Sequence, residues 1–391
     1  MLKIQTLNNI SVHGLERLPR DRFEIASELV NPDAILVRSA DMHKLEIPAS
    51  VKAIGRAGAG TNNIPVAALS KRGVPVFNAP GANANAVKEL VLASLLLAAR
   101  NIPAALEFVR KLDGDDKAMH EAVEAGKKKF VGFELPGRTL GVIGLGAIGV
   151  KVANAALELG MNVWGYDPAM TVHNAWQLNS GVRQALSVDD LVSKSQFISV
   201  HVPLLDATRG LINADRLKLM KKQGVILNFA RDAIVDEKAV IEALDEGRLH
   251  AYACDFPSNA LKGHPRVIAT PHLGASTGEA EDNCAVMVAD QIREFLELGT
   301  IRNSVNFPEA QMPLQAGTTR LCIVNENVPN MVGQISTALA KRQINIADLL
   351  NKSRGGLAYT IVDIDSGEIQ EAAQEIAAIP GVLATRVIVG R

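Results

Sequence analysis

Leu140-Gly-Val-Ile143 runs into Gly144-Leu-Gly-Ala-Ile-Gly149, and a helical stretch then leads to Asn162-Val-Trp-Gly-Tyr-Asp167. Glycines at this spacing also occur in plain turns, but here strand, turn, helix, strand and acid follow in order. Such a turn brings backbone N–H groups close to a pyrophosphate at the start of the helix. A carboxylate at the end of the second strand accepts from both ribose hydroxyls and repels a 2′-phosphate. The stretch therefore predicts a dinucleotide site that takes NAD.

Composition excludes several classes of protein. The 391 residues include 41 Lys+Arg and 42 Asp+Glu, so no global field attracts nucleic acid or a membrane. The first residues lack the apolar core of a secretion signal, and the longest apolar run, Leu90–Ala99, predicts a buried helix instead of a membrane span. Cys254, Cys284 and Cys322 are far apart, which argues against disulfides and a metal site and favours a cytoplasmic location.

Short apolar runs alternate with helical stretches along most of the chain, which predicts parallel sheets with right-handed crossovers. The predicted fold class is α/β, with two doubly wound parallel-sheet domains, one Rossmann-type and one flavodoxin-like. We expect the flavodoxin-like domain at 1–97, completed by 284–305, and the Rossmann domain at 98–283. With a length sufficient for two or three domains, a third one is expected after these.

The last part of the chain has a different pattern. Residues 306–318 contain two prolines and little periodicity, and they are predicted to be a linker. From 319 to 391 the order of runs is β-α-β-β-α-β, which predicts a ferredoxin-like α+β domain.

Unusual polar residues follow the predicted strands. Ligands of open parallel sheets bind outside the carboxyl ends of the strands, so these residues are the candidate site. They are Arg38-Ser39, Arg56-Ala57-Gly58, His201-Val202-Pro203, Asn228-Phe229-Ala230-Arg231, Asp255 and His272.

For two of these residues, an ordinary surface or loop position explains the residue type as well as a functional role does. Arg231 is suited to clamp a carboxylate, but a single arginine in a polar turn is usually a surface residue. His272 would titrate near neutrality beside a substrate, but the chain has eight histidines and most lie in loops for no catalytic reason. The residues alone leave both readings open.

At these positions the chain resembles the D-isomer-specific 2-hydroxyacid dehydrogenases. The shared motifs span about 250 residues in the order of that family. They are Val37–Ala40, Gly55–Gly58, Phe77–Gly81, Glu89–Val91, Gly144–Gly149, His201–Pro203, Asn228–Arg231 with Val235-Asp236, and Pro271–Thr277. The terminal domain resembles an ACT regulatory module, with Asn325–Pro329 similar to the loop before its first helix.

The resemblance implies a role for each residue. Arg231 would hold the substrate carboxylate, and His272 would be the acid/base. Residues 1–97 with 284–305 would bind the substrate, with its contacts at Arg38, Ser39, Arg56, Ala57 and Gly58, helped by one of Lys127, Lys128 and Lys129. The cofactor-binding residues would be Gly144, Gly146, Ala147, Ile148, Gly149, Asp167, His201, Val202, Pro203, Phe229, Ala230, Asp255 and Gly274, and no metal is expected.

The reaction implied by the closest motifs is the NAD-dependent oxidation of D-3-phosphoglycerate to 3-phosphohydroxypyruvate, the first step of L-serine biosynthesis. The expected partners are the small-molecule substrate, further copies of the chain in a homo-oligomer, and an amino-acid effector at the ACT module. Two alternatives stay open: a dehydrogenase for another D-2-hydroxy acid, or a regulator that binds NAD without catalysis.

Two positions depart from the family pattern. Asn259 stands near a position where the family has a glutamate that pairs with the histidine, and an amide cannot add the charge that stabilises imidazolium. Asn325 stands where serine-regulated relatives have a histidine. Full activity and serine inhibition are therefore left open by the sequence, as are the exact 2-hydroxy acid and the oligomeric state beyond a dimer.

Overall fold

The structure is a computed structural model that describes residues 1–315, 317–365 and 369–389. The chain forms two compact units. The first unit comprises Met1–Asn83 and Glu281–Arg391, and the second unit comprises Ala84–Ala280.

The amino-terminal part of the first unit is a parallel sheet of five strands. The strand order is β2-β1-β3-β4-β5, the flavodoxin-like order. The elements are β1 (Leu2–Leu7), α1 (Val12–Leu15), β2 (Phe23–Ala26), β3 (Ala34–Val37), β4 (Ala53–Arg56), α2 (Val66–Lys71) and β5 (Val76–Phe77). Strand β3 is buried at every position, as its continuous apolar run predicts. Strand β2 lies at the edge of the sheet, and its mixed run gave no strand signal in the sequence.

The second unit is a parallel sheet of seven strands. Its elements are α3 (Ala84–Ala99), α4 (Ile102–Arg110), α5 (Asp116–Gly126), β6 (Thr139–Ile143), α6 (Ala147–Glu158), β7 (Asn162–Tyr166), α7 (Val172–Gln177), β8 (Arg183–Gln184), α8 (Val188–Lys194), β9 (Phe197–Val200), α9 (Ala214–Leu219), β10 (Gly224–Asn228), α10 (Glu237–Asp245), β11 (Leu249–Cys254) and β12 (Val267–Ala269). The strand order is β12-β11-β10-β9-β6-β7-β8. From β6 the chain adds strands first on one side and then, from β9, on the other, and a Rossmann sheet binds its ligand at this switch point between β6 and β9.

Two apolar cores cover this seven-stranded sheet. One packs strand residues such as Leu140 against α3 and α6, and the other packs residues such as Ile226 against α8 and α10. Within the described residues, no single helix is long and apolar enough to span a membrane. Helices α3 and α4 together have the length and composition of a span, but the chain bends by 67° between them.

The remaining elements follow the second sheet. They are α11 (Gly278–Leu298), β13 (Thr319–Glu326), α12 (Met331–Lys341), β14 (Ile346–Arg354), β15 (Leu357–Ile364), α13 (Ile369–Ala377) and β16 (Val382–Val389). Strands β13 to β16 form an antiparallel sheet in the order β14-β15-β13-β16. The predicted fold class is confirmed: two parallel-sheet α/β parts and a small antiparallel sheet near the carboxyl terminus.

The central strands β13 and β15 of the antiparallel sheet are buried on both faces. One face packs against α12 and α13 through residues such as Ile323 and Ile335. The other face, with Tyr359 and Ile361, shares a core with Phe295 at the end of α11. Residues 306–318, which the sequence predicts as a linker, contribute Phe307, Ala310 and Met312 to the same core.

Arg320 on β13 is completely buried at this junction. Its Nε and Nη2 each donate to the carboxylate of Asp363 at 2.7 Å. Its other N–H groups donate to the carbonyl oxygens of Leu298 at 2.7 Å, Met312 at 2.8 Å and Pro313 at 3.1 Å. All five donors of the guanidinium are thus used, so the charge is buried with full compensation.

The same sheet caps the end of α11. The last carbonyl groups of a helix lack partners within the helix. Arg386 donates to the carbonyl oxygens of Phe295 at 2.5 Å and Leu296 at 3.1 Å, and the hydroxyl of Tyr359 donates to that of Gly299 at 2.7 Å. The cation at this end also complements the helix dipole.

Candidate functional site

The glycine-rich turn lies between β6 and α6 in the second unit. Gly144 has φ +91°, and a Cβ there would come within 2.6 Å of the carbonyl oxygen of His201. A Cβ on Gly149 would come within 1.9 Å of the carbonyl oxygen of Gly144. Only glycine fits either position, so the turn packs directly against the end of β9.

The start of α6 is open to a ligand. Gly146 is its N-cap and offers no side chain to the first N–H groups, and a Cβ at this position would meet no described atom within 4 Å. Ala147 is exposed and Ile148 is half-buried beside it. Free N–H groups in an open cradle at a helix start fit a pyrophosphate.

Asp167 stands at the end of β7 and is fixed by the turn itself. Its Oδ2 accepts from the backbone N–H of Leu145 and its Oδ1 from that of Ala169, both at 2.8 Å. Each oxygen keeps a further lone pair. The carboxylate can therefore brace the glycine-rich turn and accept from a ribose diol at the same time.

His201 follows β9 next to the turn. Its Nε2 shares a hydrogen bond of 2.7 Å with the hydroxyl of Ser199, and its buried Nδ1 has no partner among the described residues. Burial lowers the pKa of His201 to about 4, so the ring is neutral at physiological pH. Val202 is half-buried and Pro203 is exposed after it.

Arg231 is placed by the turn after β10. Asn228 is completely buried at the strand end, where its Nδ2 donates to the carbonyl oxygen of Arg231 at 2.8 Å and its Oδ1 accepts from the N–H of Ala230 at 3.2 Å. Phe229 is buried within the turn. The side chain of Arg231 is exposed, so its guanidinium is open to an anion.

His272 lies in the loop after β12 with φ +58°, a conformation that costs free energy for a residue with a side chain. Its N–H donates to the carbonyl oxygens of Asp255 at 3.1 Å and Thr270 at 3.0 Å. The ring is exposed on one side and meets the edge of Phe256, with centroids 5.3 Å apart. The backbone thus holds the imidazole outward.

Asp255 anchors this loop. Its buried carboxylate accepts on Oδ1 from the hydroxyl of Thr270 at 2.6 Å and from the N–H of Leu273 at 2.7 Å. The N–H of Gly274 donates to Oδ2 at 2.7 Å. The resemblance implies that Asp255 is a cofactor-binding residue; the structure adds that it fixes the residues on both sides of His272.

Asn259 is exposed in a turn four residues beyond Asp255. No hydrogen bond or ion pair joins it to His272 in the described part of the chain. The preceding residue, Ser258, donates to the carboxylate of Glu237 at 2.6 Å and so ties the turn to α10.

In the first unit, Arg38 and Arg56 follow the neighbouring strands β3 and β4. The Nε of Arg56 donates to the carbonyl oxygen of Arg38 at 3.1 Å. Gly58 has φ +151°, and the guanidinium of Arg56 fills the place where a Cβ would lie. Arg38 forms an ion pair with the carboxylate of Glu281 on α11. Two cations therefore stand side by side at the carboxyl edge of this sheet.

The other predicted residues take simpler positions. Ser39 is exposed and Ala57 is buried, both in the first unit. Lys127, Lys128 and Lys129 form an exposed turn of the second unit, where Lys127 pairs with Glu124. Among the described residues, no group of His, Cys, Asp or Glu is placed to hold a metal ion.

Three contributing residues received no role from the sequence. Asn228 and Thr270 hold the turns that carry Arg231 and His272, and Glu281 pairs with Arg38. A polar residue at the end of a buried strand needs hydrogen-bond partners, so the position of Asn228 in the sequence already indicates that its side chain holds the next turn. The position of Glu281 gives no such indication, because its partner lies far away in the sequence.

Comparison with known proteins identifies the family of this chain. A family model described as D-isomer specific 2-hydroxyacid dehydrogenase, NAD binding domain, matches residues 95–274. The D-3-phosphoglycerate dehydrogenase of Methanocaldococcus jannaschii is 37% identical over 80% of this chain, and the chain spans 59% of its length. That of Haemophilus influenzae is 32% identical over 88% of this chain and 83% of its own length.

A solved structure supports the same assignment. The NAD+-bound 3-phosphoglycerate dehydrogenase of Entamoeba histolytica matches with a TM-score of 0.57 and 27% identity, over 78% of this chain and 98% of that one. The family's NAD-binding domain confirms the predicted cofactor. By these relatives and by the site itself, the chain belongs to the D-isomer specific 2-hydroxyacid dehydrogenase family.

Proposed function

We propose that this protein oxidises D-3-phosphoglycerate to 3-phosphohydroxypyruvate with NAD, the first step of L-serine biosynthesis. The observation that carries the proposal is the pair of adjacent cations Arg38 and Arg56 at the carboxyl edge of the five-stranded sheet, which suits a phosphate. The relatives named above carry the same activity in their names.

Arg231 orients the substrate in this proposal. Its exposed guanidinium can hold the carboxylate through two parallel N–H bonds, which fixes the plane of the hydroxy acid. Because Asn228 fixes the backbone of this turn, the cation is presented with little freedom.

His272 exchanges the proton. In the oxidation direction the neutral imidazole accepts the proton of the C2 hydroxyl, and in reduction the imidazolium returns it. NAD, when bound, supplies the hydride acceptor. The loop fixed by Asp255 holds the ring in place throughout.

Turnover decides between the activities. We expect NAD-dependent oxidation of D-3-phosphoglycerate with a higher kcat/KM than D-glycerate or D-lactate, and a lower kcat/KM with NADP, since Asp167 repels its phosphate. Arg231→Lys should lose at least roughly a hundredfold in kcat/KM. Preference for an unphosphorylated acid would replace the substrate, and no turnover with any acid would make the protein an NAD-binding regulator.

A test of the phosphate subsite follows from the same comparison. Arg56→Ala should raise KM for D-3-phosphoglycerate much more than KM for D-glycerate, since only the former has a phosphate to lose. Equal effects on both substrates would assign Arg56 to support of the Gly58 loop.

We also propose that the chain forms a homodimer in a reducing cytoplasm, which suits its three free thiols. Helices α4 and α5 bury almost no side chain, and Leu106, Val109 and Met119 are exposed on them. An apolar surface of this kind favours a protein partner. A Leu106→Glu, Val109→Glu variant should shift from dimer to monomer in light scattering; a wild-type monomer would remove the proposal.

For the carboxyl-terminal sheet we propose a regulatory role as an ACT module. Asn325 is buried near the end of β13, with an Oδ1 that has no partner among the described residues. Such an atom suits a polar effector such as an amino acid. Calorimetry with L-serine tests this proposal, and an absence of heat would leave assembly as the role of the module.

A further inference from the structure

The guanidinium of Arg38 has a carboxylate partner in the first unit. Glu281 lies in the first turns of α11, and its carboxylate pairs with the guanidinium of Arg38. Both side chains are about two-fifths exposed, at 39% and 42%, so solvent and ligands reach the pair. A ligand anion that binds Arg38 must therefore share or replace the carboxylate of Glu281.

A thiol in the same place shows that these charges share one region. Cys284 lies one helical turn after Glu281 on α11 and is buried. Its pKa is raised by burial, lowered by Arg56 and by Arg38, and raised by Glu281. Arg38, Arg56 and Glu281 thus act electrostatically on a single point at the edge of the sheet.

The carboxylate of Glu281 offsets the charge of the guanidinium with which it pairs, that of Arg38. A phosphate monoester carries about −1.5 to −2 at neutral pH. Since Coulomb repulsion scales with the charge of the ligand, Glu281 opposes a phosphate more strongly than it opposes a singly charged or neutral group.

We propose that Glu281 is a specificity-determining residue that competes with the substrate phosphate for Arg38 and so weakens phosphate binding at this edge. The inference rests on the proposed function, because it assigns the phosphate to Arg38. Its effect falls on KM and not on the chemical step, since competition for Arg38 changes the binding of the phosphate in the ground state and the transition state alike. Weaker binding of a phosphorylated product also favours its release.

Glu281→Gln is the direct test, because it keeps the shape of the side chain and removes its charge. We expect KM for D-3-phosphoglycerate to fall by roughly three- to tenfold, with KM for D-glycerate unchanged within about twofold. Inorganic phosphate, as a competitive inhibitor, should bind more tightly by a similar factor.

Asp282→Asn is the matched control. It removes the same charge from the next residue, whose carboxylate accepts from the hydroxyl of Ser11 at 2.5 Å and does not pair with Arg38. It should leave both KM values unchanged. Equal changes in the two variants would mean that only the overall charge of α11 matters, and the proposal would fall.

Other outcomes are equally decisive. A higher KM for D-3-phosphoglycerate in Glu281→Gln would mean that Glu281 positions Arg38 instead of competing with its ligand. If the wild-type enzyme does not oxidise D-3-phosphoglycerate, the proposed function fails, and phosphate inhibition measured against the 2-hydroxy acid it does oxidise still tests Glu281. Phosphate inhibition that is absent or unchanged in the variant overturns the inference.

Discussion

The loop around His272 and the junction around Arg320 are each organised by one buried charge, but in opposite ways. Asp255 is an anion that collects N–H and O–H donors from Thr270, Leu273 and Gly274. Arg320 is a cation that donates to Asp363 and to three carbonyl groups. The first arrangement leaves His272 exposed, whereas Arg320 and Asp363 of the second are both buried.

The difference suggests that the bonds of Asp255 serve to present His272, whereas those of Arg320 serve to stabilise the fold. The partners of Asp255 lie within one loop, and their bonds hold His272 outward at a positive φ. The acceptors of Arg320 come from α11, from the segment before β13 and from β15, so its bonds join three parts of the first unit. Loss of the first should reduce activity, and loss of the second should reduce stability.

Arg320→Met should have the largest effect on stability. It leaves Asp363 buried without a partner, which costs about 3–5 kcal/mol, and it leaves three carbonyl groups without donors. We expect the urea midpoint of the first unit to fall strongly while NAD still binds to the second. Urea unfolding followed by circular dichroism, together with NAD titration, measures both.

Arg342→Met is the matched control for this cation. Arg342 pairs with Glu371 and Glu375 on the surface, where solvent screens the ion pairs and little stability depends on them. A double change, Arg320→Met with Asp363→Leu, should recover part of the lost stability because no unpaired charge remains. Equal midpoints for Arg320→Met and Arg342→Met would contradict the role given to Arg320.

Asp255→Asn should mainly reduce activity. The amide has the shape of the carboxylate, but its NH2 group must face an N–H or O–H donor, so at least one buried group loses its partner at a cost of about 1–3 kcal/mol. We expect kcat/KM to fall by roughly ten- to a hundredfold, since the loop no longer fixes His272. Thr270→Val, which removes only one of the three donors, should lose less in the same assay; a larger loss would shift the anchor from Asp255 to Thr270.

His201 adds a third kind of buried group, one with an unpaired nitrogen. Its pKa is about 4 in the folded state, below the ordinary value of 6.5. Above pH 6.5 both states are neutral; as pH falls from 6.5 to 4 only the unfolded state binds the proton, so stability is lost across this window. The residue is partly exposed, so we expect a loss of about 1–2 kcal/mol between pH 7 and pH 5.

His201→Gln cannot titrate and is the control for this pH dependence. The difference in urea midpoint between pH 7 and pH 5 should be smaller in this variant than in the wild type. The same difference in both proteins would show that other groups set the acid sensitivity.

The sequence predicted those features that depend on neighbouring residues. The Gly144–Gly149 turn, Asp167 and the strand β3 follow from spacing and apolar runs, and the structure places them as expected. Arg320 and Asp363 show what is missing. Each interrupts an apolar strand, which is visible in the sequence, but they face each other only because β13 and β15 pair in one register.

The site divides in the same way. Arg231 and His272 became candidates because each follows a predicted strand, and their roles stay predictions. The positive φ of His272 and the part of Asp255 in holding it depend on two segments brought together by the β11–β12 pairing. Residues 306–318 lack periodicity since their buried side chains, such as Phe307 and Met312, fit a surface made by distant parts of the chain.

The smallest effect is expected from a change at Asn259, an exposed residue in the turn after Asp255. A carboxylate near His272 favours imidazolium and raises the pKa of the ring, so the acidic limb of the kcat/KM profile for oxidation should move to higher pH in Asn259→Glu. Because Asn259 is exposed and Phe256 lies against the ring, solvent screens the new charge and we expect a shift of only about 0.2–0.5 pH units. Ala260→Glu places the same charge one residue further along the turn and should shift the limb less. A limb that does not move in Asn259→Glu, or moves equally in both variants, would mean that residue 259 does not act on His272.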